Sequence, residues 1–506
     1  MAEPSASRAK ERASVPLWAA FVILLALVMA TQLGGLAKEV IDWDEQTFIL
    51  MGDDVASGHL LYAERFDLKP PVIFLLIGAT IALFGDSLAA VRLLGDALLL
   101  GTALLVFIAA RRIVSPLWAL AGAVVTVLLC TADFAQHTAS ELPAMLAMTA
   151  TFALLAASRV SLAHCAAAGA CIALAILTRT NLAPLAVALG LLLLAAPWLG
   201  FKDIARMGWF AFGLGGIGVV LAITLPYLIA GRFDLFWMAN VEVPLSYAGQ
   251  DTMLSALLSH LSQYYWTIRE APLIYGAGTL LAILGLIGVA KKWREHRWAT
   301  VLLLAMTGAV VVSILIGGAA YPHYWMQLFP FFGLLTVLAI DWMGRYHAGA
   351  LAAAALLAAM LASALVERVP SALAVATDPQ GYDADFAIRA AARHIEHTGG
   401  PDPSIWAWRH HLVYWYTGAP LLSKAATHPD NIVRAPIISA LTEHGYVPGG
   451  EIERIAASRP EFVITDAKGL GEEWLAESGR RPAVWLARYY KLDARYDDVL
   501  VYRRRN

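Results

Sequence analysis

The sequence predicts a polytopic α-helical membrane protein with a C-terminal soluble α/β domain. Three observations predict it. Of the 506 residues, 59% are apolar and only 15% are charged, against about 45–50% and about 25% in a typical soluble domain, and mean hydropathy is +0.63. The charge is also unevenly divided: Asp, Glu, Lys and Arg make up about 25% of residues 367–506 but only about 11% of residues 1–366. Finally, the apolar residues of the first part fall into runs near the roughly 17–25 residues that a helix needs to cross a bilayer. Together these features exclude a single soluble globule, a disordered chain and a disulfide scaffold.

The runs lie near 17–36, 88–110, 116–133, 141–157, 162–178, 181–199, 209–230, 272–290, 298–316, 323–342 and 348–366, which predicts about eleven spanning helices. The first follows Arg8, Lys10 and Arg12 and lacks a small-residue cleavage site, so it reads as a retained anchor. With the N-terminus inside, Arg111-Arg112, Arg159, Lys202, Arg206, Lys291-Lys292, Arg294, Arg297 and Arg345 all fall in inner loops, as positive charge should. Segments 37–87 and 231–271 then become outer loops, and residues 367–506 an outer domain. Pro71 to Phe84 is apolar but spans only about 14 residues, which suits an interfacial helix; counting it as a span would move Arg111-Arg112 outside.

Within residues 367–506, Phe386 to His397 has helical spacing, while Ser404 to Trp408, Phe462 to Thr465 and Val499 to Tyr502 read as strands. Trp406, Trp408, Tyr414, Trp415 and Tyr416 predict an aromatic core, with sugar stacking as the alternative. A net charge of −2 without a long basic block gives no support for nucleic-acid binding. Cys130, Cys165 and Cys171 lie in apolar runs and read as small buried hydrophobes.

Ionisable groups at the edges of apolar segments are functional candidates. Here most of them share the outer side: Asp42, Asp44 and Glu45; Tyr62; Asp67-Leu68-Lys69-Pro70-Pro71; Arg92; His137 and Glu141; Arg179; and Tyr321, His323 and Tyr324. Their spacing specifies no metal site, and no GxxxxGK[ST] loop is present. A carboxylate can take a proton from an attacking hydroxyl, and Lys and Arg can hold a departing phosphate. The set therefore fits group transfer from a phosphate-linked, membrane-bound donor.

Five motifs in order extend this reading. They are Asp44-Glu45 with Gly58-His59-Leu60-Leu61-Tyr62 and Lys69-Pro70-Pro71, Ala90-Val91-Arg92-Leu93-Leu94, Ser140-Glu141-Leu142-Pro143, Leu177-Thr178-Arg179, and His323-Tyr324 with Pro330. In these residues the chain resembles the GT-C superfamily of polyprenyl-phosphate-sugar glycosyltransferases, in particular the bacterial branch related to protein mannosyltransferases and the lipid A aminoarabinose transferase. Two positions depart from the family pattern: Glu141 replaces the usual Asp, and Arg179 the usual Lys.

The resemblance implies a bacterial inner-membrane enzyme that moves a sugar, with inversion, from a polyprenyl-phosphate donor to a lipid, glycan or protein acceptor on the periplasmic side. It implies that Asp44 is the general base, Glu45 and Glu141 are further acidic residues of the site, and Lys69, Arg92 and Arg179 hold the donor phosphate. Tyr62, His323 and Tyr324 would line the substrate cavity. The resemblance also leaves room for a divalent cation, which some relatives use. The alternative is a transporter or flippase; such proteins usually carry repeats and charges near the membrane midplane, and neither is evident here.

Overall fold

A computed structural model describes residues 15–135, 137–247, 253–316, 320–470 and 482–505. Arg8, Lys10 and Arg12 lie outside the described residues. The body is built from α1 (Leu17–Gln32), α2 (Trp43–Ala56), α3 (Val72–Phe84), α4 (Leu88–Ala110), α5 (Pro116–Leu129), α6 (Glu141–Leu155), α7 (Leu162–Ile176), α8 (Ala183–Ala195), α9 (Gly208–Ile229), α10 (Phe233–Trp237), α11 (Val243–Tyr247), α12 (Met253–Glu270), α13 (Ala277–Lys292), α14 (Arg297–Ile316), α15 (Phe329–Met343) and α16 (His347–Thr377).

Each of the eleven predicted runs coincides with a helix. Among the described residues, seven of these helices are long and apolar enough to cross a membrane, while the segments Pro116–Leu129, Glu141–Leu155, Leu162–Ile176 and Thr180–Ala195 are shorter apolar helices. At about 1.5 Å per residue, a helix such as α6 is roughly 23 Å long, less than a hydrocarbon core of about 30 Å. The predicted runs exceed these four helices because apolar residues continue into the turns that follow; the predicted run 116–133, for example, stops being helical after Leu129. The interfacial candidate forms α3, whose 13 residues are too few to span.

The inter-helix loops segregate at the two ends of the bundle. At one end, the Arg112 Nη1 donates to Ala153 O (2.5 Å), Trp298 Nε1 to Leu155 O (2.6 Å), and Lys292 pairs with Asp341 (3.3 Å). At the other, Gln32 Nε2 donates to Cys130 O (2.9 Å) and Asn181 Nδ2 to Ser313 O (3.2 Å). The loops rich in Lys and Arg therefore meet at one end, and the acid-bearing segments at the other.

The boundary expected at residues 366 and 367 falls inside α16, which runs unbroken to Thr377 with Pro370 in its interior. Where it passes the 3₁₀ turn Leu33–Ala37 that follows α1, the close approach requires Gly34: a Cβ there would lie 2.1 Å from Ser371 Oγ.

Beyond α16 come α17 (Ala387–Thr398), α18 (Leu412–Thr417), α19 (Pro429–Val433), α20 (Ala435–Glu443), α21 (Glu451–Ser458) and a helix at Pro482–Tyr489. They pack around a four-stranded sheet of β1 (Ile405–Ala407), β2 (Phe462–Thr465), β3 (Tyr490–Tyr496) and β4 (Val499–Arg504) in the order β1-β2-β4-β3. The β1–β2 pair is parallel and the others antiparallel. Sequence patterning missed β3. It is an edge strand in which Lys491, Asp493 and Arg495 alternate with Tyr490, Leu492, Ala494 and Tyr496, so the period-2 signal is present in the sequence, although only Tyr490 of the strand is buried. Trp406, Trp408 and Tyr414 are buried, and Trp406 meets Trp408 and Trp485 edge-on. This core is continuous with Phe48, Phe66 and Phe74 of the segment between α1 and α4.

One carboxylate fastens the two parts together. Glu39, just after α1, accepts the backbone N–H groups of Ile388 (2.6 Å) and Arg389 (2.8 Å) in the first turn of α17, whose own N-cap side chain is Phe386. It therefore satisfies donors that a helix leaves open. Glu39→Ala is expected to remove about 1 kcal/mol of stability, seen as a lower unfolding midpoint of the purified protein and faster proteolysis between residues 378 and 386.

Candidate active site

The site is built on α2, whose successive residues face different partners. Glu45 points into the protein and meets Arg92 of α4, with both side chains fully buried. Arg92 donates Nε to Glu45 Oε1 (2.9 Å) and Nη2 to Glu45 Oε2 (2.8 Å), a two-pronged contact. Its remaining donors reach the carbonyls of Gly35, Lys38 and Glu39, so all five N–H groups of the guanidinium are engaged. Glu45 also accepts Thr138 Oγ1 at 2.9 Å. Burial raises the Glu45 carboxyl, but Arg92 outweighs it, and the group lies below the usual carboxylate range.

Asp44 sits about 100° around the helix from Glu45 and faces a cavity. Its Oδ2 binds Lys69 Nζ at 2.8 Å, and its Oδ1 lies 3.7 Å from His428 Nε2. Burial raises the Asp44 carboxyl, but Lys69, His428 and His323 together hold it well below the usual range. Lys69 is lowered by burial and raised further by Asp44 and Asp67, ending well above the usual lysine range. Burial pushes Asp42 up, reinforced by Asp44. The backbone of Lys69 is fixed from two sides: its N–H donates to Asp67 Oδ1 (2.9 Å) and its carbonyl accepts Tyr62 Oη (2.8 Å). Tyr62 adopts the left-handed φ of 68°, uncommon for a bulky residue, and its own carbonyl accepts Tyr446 Oη (2.6 Å).

Across the cavity, Arg179 pairs with Glu141 at 2.5 Å and lies over the Tyr324 ring at 4.4 Å. His323 stands 4.0 Å from Glu141 and stacks on Tyr321 (5.4 Å between ring centroids). The cavity holds about 800 Å³. Its lining mixes apolar groups such as Ile41, Phe134 and Leu245 with Asp42, Asp44, Lys69, Arg179 and His323. His428, Asp430, Asn431 and Arg434 come to the same wall from the soluble domain.

Of the sequence candidates, Asp44, Lys69, Arg179, His323 and Tyr324 are thus brought together around one cavity, with Glu141 behind Arg179. Two expectations are corrected. Arg92 was expected to hold phosphate, but its donors are saturated by Glu45 and backbone and it is not among the described residues lining the cavity. Tyr62 was expected to line the cavity, but it is buried behind Lys69 as a brace. Glu45 shapes the site by fixing α2, since its carboxylate is committed to Arg92 and Thr138. Sequence reasoning missed His428 and Asn431. The only local signal was His428-Pro429 ahead of a short helix, and nothing in it points to a residue some 380 positions earlier. Among the described residues, no group of three or more His, Cys, Asp and Glu is placed to hold a metal ion. Asp44 and Glu45 are each countered by a basic side chain, Lys69 and Arg92.

No protein-family model matches the chain, and no curated protein sequence matches it. Solved structures do match. ArnT from Cupriavidus metallidurans in the apo state has 16% identity over 95% of this chain and 96% of that one, with a TM-score of 0.62. The same protein bound to undecaprenyl phosphate gives 17% identity, 95% and 97% coverage, and 0.60. The archaeal oligosaccharyltransferase AglB from Archaeoglobus fulgidus, in complex with an inhibitory peptide and a dolichol-phosphate, gives 13%, 97% and 74%, and 0.51. The chain shares its fold with these structures.

Two outcomes are expected. Arg92→Met leaves Glu45 buried without a counter-charge and should destabilise the protein by about 3–5 kcal/mol; Arg92→Lys should also destabilise it, because a point charge cannot replace the fork. Both are read from unfolding midpoints. Burial, His428 and His410 push His411 down to about 3. An unfolded histidine binds a proton near pH 6.5, so stability should fall as pH drops below about 6.5 toward 3, by up to about 1.4 kcal/mol per pH unit from this group. His411→Gln should flatten that slope.

Proposed function

We propose that this chain is an integral membrane glycosyltransferase of the bacterial inner membrane. It moves a hexosyl or pentosyl group from a polyprenyl-phosphate donor to a hydroxyl of a lipid, glycan or protein acceptor. The N-terminus is cytoplasmic, and the cavity and C-terminal domain face the periplasm. The observation that carries this reading is the Asp44–Lys69 pair at 2.8 Å on the wall of a cavity lined by both apolar and charged groups. Such a cavity suits a ligand with an anionic head and an apolar tail. Structures of the same fold that hold undecaprenyl phosphate or dolichol-phosphate support a lipid phosphate here.

In the reaction, the acceptor oxygen attacks the anomeric carbon and forms the new glycosidic bond. The bond from that carbon to the phosphate oxygen breaks, its electron pair leaves with polyprenyl phosphate, and the anomeric centre inverts. The proton of the acceptor hydroxyl passes to Asp44. Lys69 and Arg179 stabilise the charge that develops on the phosphate. Paired with Lys69, Asp44 is always ionised but weakly basic; when the phosphate draws Lys69 to itself, the carboxylate regains basicity where it is needed. Because the leaving group is already a phosphate, no general acid is required.

The test is release of polyprenyl phosphate by purified protein given a polyprenyl-phosphate sugar and an acceptor. Asp44→Asn should lower turnover by about 10²–10⁴-fold, and Lys69→Met should weaken donor binding as well as turnover. Transfer by Asp44→Asn at the parent rate would refute the assigned mechanism.

A further inference from the structure

The soluble domain brings an imidazole, His428, to the cavity wall. The ring is held in one tautomer: Nδ1 accepts the backbone N–H of Asp430 at 3.2 Å, so in the neutral imidazole the hydrogen is on Nε2. Its position is braced as well. Trp43 meets the ring edge-on at 5.8 Å, and Arg409 lies 4.7 Å over the Trp43 indole. Nε2 faces Asp44 Oδ1 at 3.7 Å, beyond hydrogen-bond length. Lys69 Nζ bonds the other oxygen of the same carboxylate at 2.8 Å. Two N–H donors from different domains thus converge on one anionic group. The lysine is bonded, and the imidazole N–H is aimed at the same place but short of a bond.

We propose that His428 donates its Nε2 hydrogen to the phosphate of a membrane lipid, so that the soluble domain and the membrane body hold that phosphate jointly with Lys69. This rests on the reading of the cavity as a lipid-phosphate site. An oxyanion entering beside Lys69 can accept the N–H that Asp44 leaves unbonded, and a hydrogen bond to a charged oxygen is stronger than one between neutral groups.

The experiment measures binding of undecaprenyl phosphate to the full chain in nanodiscs, with inorganic phosphate as competitor. Lys69→Met reports on the site itself and should lose binding. His428→Phe, which keeps the ring and removes the donor, should weaken binding about 10-fold or more, the range for one hydrogen bond to a charged group. His428→Gln, whose side-chain amide can still donate, should stay within about threefold of the parent. Unfolding midpoints without lipid accompany each variant, and His428→Leu replaces His428→Phe if the latter does not fold. Inorganic phosphate should not compete at equal concentration. Parent-like binding by His428→Phe with loss in Lys69→Met would overturn the proposal and leave the site reading standing. Equal loss in His428→Phe and His428→Gln would overturn it too, since the donor would then be irrelevant. Competition by inorganic phosphate at equal concentration would overturn the lipid source. Absence of binding by the parent, or parent-like binding by Lys69→Met, would bring down the site reading and the proposal with it.

Discussion

The arrangement depends on the buried fork between Arg92 and Glu45. A guanidinium with no exposure is tolerated only when its charge and all its donors are met, and here one carboxylate and three carbonyls of the preceding turn meet them. That requirement ties the end of α1, the start of α2 and the start of α4 to one point. It also fixes the rotation of α2 about its axis. With Glu45 turned inward, Asp44 must face the cavity, and Gln46 and Thr47 must face the soluble domain, where they bond Arg409 O, the Leu412 N–H and Thr427 O.

The soluble domain is consequently one wall of the site. Its segment 424–431 lies along the loop before Lys69: the Phe66 N–H donates to Lys424 O (2.9 Å), and Asn431 Nδ2 reaches Phe66 O (3.2 Å) and Asp67 Oδ2 (3.4 Å). Asp67 in turn receives the Lys69 N–H. The position of the lysine is therefore set by both domains, and their shared apolar core makes that setting stiff. The result is a cavity with fixed charges already in place, the condition under which electrostatic stabilisation costs least reorganisation.

Much of this was legible in the residues. Asp44, Lys69, Arg179 and His323 stand out because charge beside an apolar segment is costly unless it has a use. The strands at Phe462–Thr465 and Val499–Tyr502 announce themselves by apolar runs, whereas β3 shows a charge-rich alternation of which only Tyr490 is buried. Arg92 was misread for a physical reason: a buried arginine that holds a fold together and an arginine that holds a phosphate have the same composition and the same neighbours in sequence. Tyr62 was misread likewise, since an aromatic beside a lysine gives no sign of whether its hydroxyl faces a cavity or a backbone carbonyl.

By itself the sequence determined the apolar helices of the first part, the change in charge density between the two parts, the gathering of acids and bases in the segments between helices, and the order of the motifs. These follow from hydropathy, helix length and charge placement, which act locally along the chain. Only the tertiary structure decided which charges are paired and which face the cavity, where α16 ends, and that His428 joins Asp44. Those depend on contacts between segments hundreds of residues apart, formed only when the soluble domain packs on the segment between α1 and α4 and excludes water from the groups between them.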